Sequence, residues 1–145
     1  MTIRDKIKQL QSIDVNALTD AAILDNEAAF LEANRTQLYD HGIVDVTKPD
    51  RRESYAESTK KRKRKTAKFP KTDFITLKWS GVLHESFKLF ILKDFIAIRP
   101  MDIKWGLYIQ DNERFGNAMG LTAENLSAIR DKIKVSFLNI MRNEL

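Results

Sequence analysis

Hydrophobic positions recur at helical spacing at both ends of the chain and at strand spacing in between. Ile3, Ile7 and Leu10 fall on one face of a short helix. Thr2 stands at its cap, with Asp5 at the capping-box position that Glu or Gln more often fills. Ala17, Ala21, Leu24, Ala28, Leu31 and Leu38 recur at steps of three, four and seven, which predicts one long helix over about 15–39, with Gly42 at its C′ position. Its alanines would let another element approach closely. Ile23 and Phe30 lie off that stripe and point to a second buried contact or an interface with another chain.

From 43 to 72 the periodicity stops. Pro49 and Pro70 bracket about 30 polar, basic residues in which no element is predicted, and a loop that long in a compact domain is functional or disordered more often than connective. Beyond it, 85–92 and 94–99 are rich in Phe, Ile and Leu and predict two strands joined tightly at Lys93-Asp94. Phe87, Leu89 and Ile91 point one way, Phe90 and Leu92 the other, so the hairpin should be covered on both sides, by helices or neighbouring subunits. A short helix around 103–110 follows, and Gly116 and Gly120 flank a turn into a last helix. Thr122 caps that helix, Leu121 and Leu126 form its staple, and Leu126, Ile129, Ile133, Phe137 and Ile140 form its core stripe.

The pattern predicts an α+β fold: N-terminal helices and a long C-terminal helix packed on a small antiparallel hairpin, with a long basic loop. The chain reads as a single domain over 1–145, divided into helices (1–42), basic extended loop (43–73), hairpin (74–100) and C-terminal helices (101–145). Its 145 residues suffice for one core, and 43% of them are hydrophobic.

Charge changes the picture more than composition does. Between Lys48 and Lys71 stand eleven basic residues against three acidic ones, a local charge of +8, while the remainder of the chain carries −3. The candidate contact residues are Arg51, Arg52, Lys60, Lys61, Arg62, Lys63, Arg64, Lys65, Lys68 and Lys71. Six consecutive cations, Lys60 to Lys65, repel one another and are expected to be solvated or ordered by an anionic partner. Replacing all six with Ser should then leave the fold intact. The charge admits three roles: contact with nucleic-acid phosphates, a merely solvated run, or a docking arm for an acidic protein surface. Flanking aromatics are few, Tyr55 and Phe69, so a stacking platform for single strands is weakly supported.

Catalytic chemistry is poorly represented. With no Cys and only His41 and His84, thiolate and histidine-cluster metal sites are disfavoured, and no cofactor or small-molecule substrate is expected. The five glycines match no phosphate-binding loop. Ser80 and Ser86 near His84 lack the elbow and orienting carboxylate of a serine nucleophile. Asp50, Asp102 and Lys104 make only a chance nuclease-like pattern. No segment has the length of apolar residues that spans a bilayer, and the first residues lack the apolar core of a signal peptide. A soluble, intracellularly made, non-enzymatic protein is expected.

Three stretches carry a resemblance: Asn34-Arg35-Thr36-Gln37-Leu38-Tyr39, Ser80-Gly81-Val82-Leu83-His84-Glu85-Ser86-Phe87, and Phe115-Gly116-Asn117-Ala118-Met119-Gly120-Leu121-Thr122-Ala123-Glu124-Asn125-Leu126. In this order the chain resembles the tail-completion (neck) and head–tail joining proteins of tailed bacteriophages and prophages, especially those of Bacteroidetes hosts. Ser80, Gly81, Leu83 and Ser86 look like that family's T-G-x-L-x-x-S motif, with serine where threonine is usual. The run from Tyr55 to Lys60 looks like its Y-S-x-x-T region. The resemblance covers roughly 34–145, and the dense basic run departs from it. It implies a virion component made in the host cytoplasm and assembled as a homo-oligomeric ring at the head–tail junction. Its implied partners are other neck, portal or tail proteins and, in the channel, double-stranded DNA. The alternative reading is a small basic nucleic-acid-binding accessory protein of a phage or mobile element.

Overall fold

In the computed structural model, which describes residues 1–103, 113–115 and 117–145, the chain opens with the expected capping box. The Asp5 N–H donates to the Thr2 hydroxyl (3.1 Å) and the Thr2 N–H to the Asp5 carboxylate (2.9 Å), starting α1, Ile3–Gln11. No residue of α1 is buried. Ile3, Ile7 and Leu10 share a face as expected, yet they are 82%, 48% and 50% exposed.

The long helix expected over 15–39 is two. Asp14 caps α2, Val15–Asp25, and α3, Glu27–Tyr39, begins after Asn26. The Asn26 side chain donates to the Ala22 carbonyl (2.8 Å) and to the Ser136 hydroxyl (2.9 Å), the local competition that takes a short amide out of helical register. The break reassigns the faces. Ala17, Ala21, Leu24 and Ala28 of the expected stripe are exposed, whereas Leu18, Ala22, Phe30 and Leu38 are buried, so of the two roles expected for Phe30 and Ile23 it is the buried contact that is found: Phe30 lies in the core and Ile23 packs against it. Gly42, at φ +63°, lets the Ile43 N–H return to the Gln37 carbonyl (2.8 Å) and closes α3 as expected.

The basic stretch is not one extended loop. Residues Glu57–Thr66 form α4. After it, Phe69 N–H bonds the Trp79 carbonyl and Ile75 N–H bonds the Glu53 carbonyl, folding 67–79 back over the preceding segment. A single turn, α5 (Val82–Glu85), leads into β1 (Phe87–Ile91), which pairs antiparallel with β2 (Ile96–Pro100) in the register Phe87–Pro100, Leu89–Ile98, Ile91–Ile96. The strands are shorter than expected because Glu85 and Ser86 are used by α5 and its cap. Lys93-Asp94 does form the connection, with Leu92 N–H bonded to the Phe95 carbonyl (2.8 Å).

One face of the hairpin, Phe87, Leu89 and Ile98, joins the core with Phe30, Leu38, Val44 and Ile129. The other is only partly covered among the described residues: Lys88 and Arg99 are exposed, Phe90 is half-buried under the Arg99 guanidinium, and Phe95 is exposed. A 3-10 turn, Glu113–Phe115, precedes α6, Ala123–Glu144, which Thr122 caps and which packs along α2. Ile129 is buried, and Leu126, Ile133, Phe137 and Ile140 are half-buried on the same face. The short helix expected at 103–110 and the turn at Gly116 fall mainly outside the described residues. The fold is α+β, six helices among the described residues and a two-stranded antiparallel sheet. No helix of the described residues is long and apolar enough to cross a membrane.

Candidate functional site

Helix α4 carries the whole Lys60–Lys65 run. Lys and Arg are good helix formers, Glu57 occupies the first turn, and Lys63, Arg64 and Lys65 occupy the last, where the helix dipole favours cations. Each like-charge pair one turn apart opposes this by only about 0.2–0.5 kcal/mol. What fixes the helix is a residue expected in solvent. Lys63 is 0% exposed, and its ammonium donates to the Lys71 carbonyl (2.6 Å), the Thr76 hydroxyl (3.0 Å) and the Tyr55 hydroxyl (3.3 Å). Three acceptors meet three N–H groups, which is how a buried ammonium without a carboxylate is tolerated. Replacing the entire run with Ser would therefore not spare the fold.

With Lys63 pointing inward, the other nine candidates, five on α4 and four outside it, divide by their partners. Lys60 pairs with Glu57 (3.0 Å), and Arg51 with Glu53 (2.9 Å). Arg52 donates to the Pro49 and Arg51 carbonyls, and Lys71 to the Tyr39 carbonyl (3.0 Å). Lys61, Arg62, Arg64, Lys65 and Lys68 remain exposed, and none makes an ion pair among the described residues. Arg64 is steadied by its Nε bond to the Thr72 hydroxyl (3.2 Å).

Aromatic rings are more numerous here than the sequence neighbourhood of the run suggests. Arg62 lies over the Trp79 ring (5.4 Å to the centroid), Lys68 over Phe69 (5.7 Å) and Lys71 over Phe74 (4.5 Å). Lys78 lies over both Phe69 (4.1 Å) and Tyr39 (4.7 Å). Such contacts are worth about 0.5–1 kcal/mol at exposed sites. Tyr39, Phe74, Lys78 and Trp79 were not among the candidates. The alternation of rings and cations along 69–79 is the sequence feature that points to them. Between α4 and 77–83 lies a cleft of about 400 Å³, lined by Tyr55, Arg62, Lys78, Trp79, Ser80 and Leu83 among others.

The motif-like residues build the cleft's far wall. Leu77, at φ +54°, turns the chain, Ser80 accepts from the Val82 N–H (3.4 Å), and Gly81, at φ +94°, starts α5. A Cβ on Gly81 would stand 3.0 Å from the Phe69 ring, so the glycine serves both the conformation and the approach. Leu83 packs against the core, and the Ser86 hydroxyl donates to the Leu83 carbonyl (2.7 Å) while accepting from the Met101 and Asp102 N–H groups. Neither serine hydroxyl reaches His84. That ring is buried, stacked on Phe87 at 5.2 Å, with Nε2 2.9 Å from the Thr76 carbonyl, so Nε2 donates and Nδ1 has no partner. Burial, with Lys78, Arg35 and Lys63 nearby, lowers its pKa from 6.5 to about 4.

Asp50 and Asp102 line different clefts, Lys104 lies outside the described residues, and the described residues contain no group of three His, Asp or Glu placed to hold a metal ion.

The three stretches that carry the resemblance are stitched together by α3. Asn34 donates to the Ala118 carbonyl (3.1 Å) and accepts from the Gly120 N–H (3.0 Å). Gln37 donates to the Gly120 carbonyl (3.0 Å) and accepts from the Thr122 N–H (3.0 Å) and the Asn125 amide (2.6 Å). Arg35 donates to the His84 carbonyl (2.8 Å). Both amides are 0% exposed, and they satisfy backbone groups of the turn before α6 that burial would otherwise orphan. Comparison with known proteins adds nothing to this: no protein-family model, curated protein or solved structure matches the chain.

Proposed function

We propose that this chain is a non-enzymatic structural subunit of the head–tail joining region of a tailed bacteriophage. In the neck or tail-completion position it would close into a ring with copies of itself and dock on portal or tail proteins. The observation that carries the reading is the presence of apolar surface left uncovered on two different elements. One is the Ile3, Ile7, Leu10 face of α1. The other is the hairpin end, where Leu92 and Phe95 are exposed, with Met101 beyond β2. A head-to-tail ring joins two unlike patches of one subunit, and exposed apolar side chains on unlike elements suit that geometry. The resemblance over 34–145 supports the phage setting.

The test is mass spectrometry and cryo-EM of purified particles from the source. The expected result is a ring of this chain at the head–tail junction, with α1 or the hairpin end at the subunit interface. Absence of the chain from the particles refutes the reading.

A further inference from the structure

We propose that the outward face of α4 binds the phosphate backbone of double-stranded DNA without reading its sequence. The inference rests on the charge geometry of α4 and not on the ring. Once Lys63 is turned inward and Lys60, Arg51, Arg52 and Lys71 are engaged, five exposed cations remain in this strongly basic segment: Lys61, Arg62, Arg64 and Lys65 around the part of α4 turned away from Lys63, and Lys68 just beyond the helix. They are held in place. Lys63 locks the helix, Trp79 backs the Arg62 guanidinium and Thr72 holds Arg64. Lys61 and Lys65 lie one turn apart, about 6 Å, near enough for both to reach one strand's backbone, whose charges advance by ~3.4 Å each along the duplex axis.

The aromatic rings decide between nucleic-acid classes. Single strands bind by stacking bases on open rings. Here Trp79, Phe69 and Tyr39 each have a cation over the ring, so they back the basic side chains and offer no free platform. Backed guanidinium and ammonium groups facing solvent suit phosphate oxygens.

The test is fluorescence anisotropy with the full chain and labelled 30-base-pair duplexes of two unrelated sequences. With five phosphate contacts, log K should fall against log salt with a slope of about −4.5, roughly 500-fold between 50 and 200 mM, equally for both sequences. The triple variant Lys61→Ser, Arg62→Ser, Lys65→Ser should lower the slope to about −1.8 while melting like the parent. Should that variant fold poorly, Lys61→Glu with Lys65→Glu keeps the helix formers and should abolish binding. Replacing the exposed Arg130 and Lys134 of α6 with Ser should change nothing. The proposal is overturned by absence of duplex binding at 50 mM salt, by an unchanged slope in the α4 variants, by tighter binding of a single strand of equal length, or by equal binding of polyglutamate.

Discussion

Lys61 and Lys63 are two residues apart in an unbroken basic run, yet the fold gives them opposite energetics. In Lys63→Ala the ammonium is lost from a site it fills completely. The Lys71 carbonyl is left without its 2.6 Å donor, whereas the Thr76 and Tyr55 hydroxyls each lose one donor but still accept from the Lys78 and Thr76 N–H groups. An orphaned buried acceptor costs about 1–3 kcal/mol, and the removed side-chain stem adds a cavity, so a loss of about 3–4 kcal/mol is expected. For a chain of this size each kcal/mol lowers the melting temperature by roughly 2–4 °C, which places Lys63→Ala about 6–16 °C below the parent. Lys63→Met retains the stem and removes the desolvated charge, so it should lose less, about 1–2 kcal/mol, mainly from the Lys71 carbonyl. Lys61→Ala, on the solvent side, should stay within about 0.5 kcal/mol. Differential scanning calorimetry of the three variants is the assay. Melting of Lys63→Ala and Lys61→Ala within 1 °C of each other would refute the buried-ammonium account of α4.

Three further outcomes follow from the same geometry. Gln37→Ala orphans the Gly120 carbonyl and the Thr122 N–H, and should lower the urea-derived stability by about 2–4 kcal/mol; a loss under about 1 kcal/mol would mean that the turn before α6 does not depend on it. Gly42→Ala places a Cβ 2.4 Å from the Phe74 ring at φ +63°, and left-handed strain plus overpacking should cost about 2–4 kcal/mol, checked by the same denaturation. His84 binds a proton below about 6.5 when unfolded but only below about 4 when folded. Stability should therefore be level above about pH 6.5 and fall by up to about 3 kcal/mol as the pH drops to 4. The part of that fall between pH 6.5 and 5 lies above the carboxylate range and should disappear in His84→Gln; an identical slope in that variant would refute it.

Local rules carried the reading wherever one residue and its chain neighbours decide the outcome. The capping box of Thr2 and Asp5, the cap at Thr122, the closure at Gly42, the Lys93-Asp94 connection and the stripe from Leu126 to Ile140 were all legible, because capping and amphipathic periodicity act within a turn or two of chain. They were enough for the α+β class. The reading failed where a distant partner outweighs the local pattern. Asn26 breaks the second helix while bonding Ser136, and Asn34 and Gln37 sit inside because the carbonyls and N–H groups of 118–122, some 85 residues away, require them.

The candidate site divides in the same way. The sequence by itself determined that a +8 segment exists and that its charge far exceeds what its own acids neutralise. Only the tertiary structure decided which cations face outward, because that depends on where Thr76, Tyr55 and the Lys71 carbonyl stand in space. A lysine with three matched acceptors can be buried, and the same lysine without them cannot. The run is uniform in sequence, whereas the desolvation cost of each of its members is set by neighbours that the fold alone brings together.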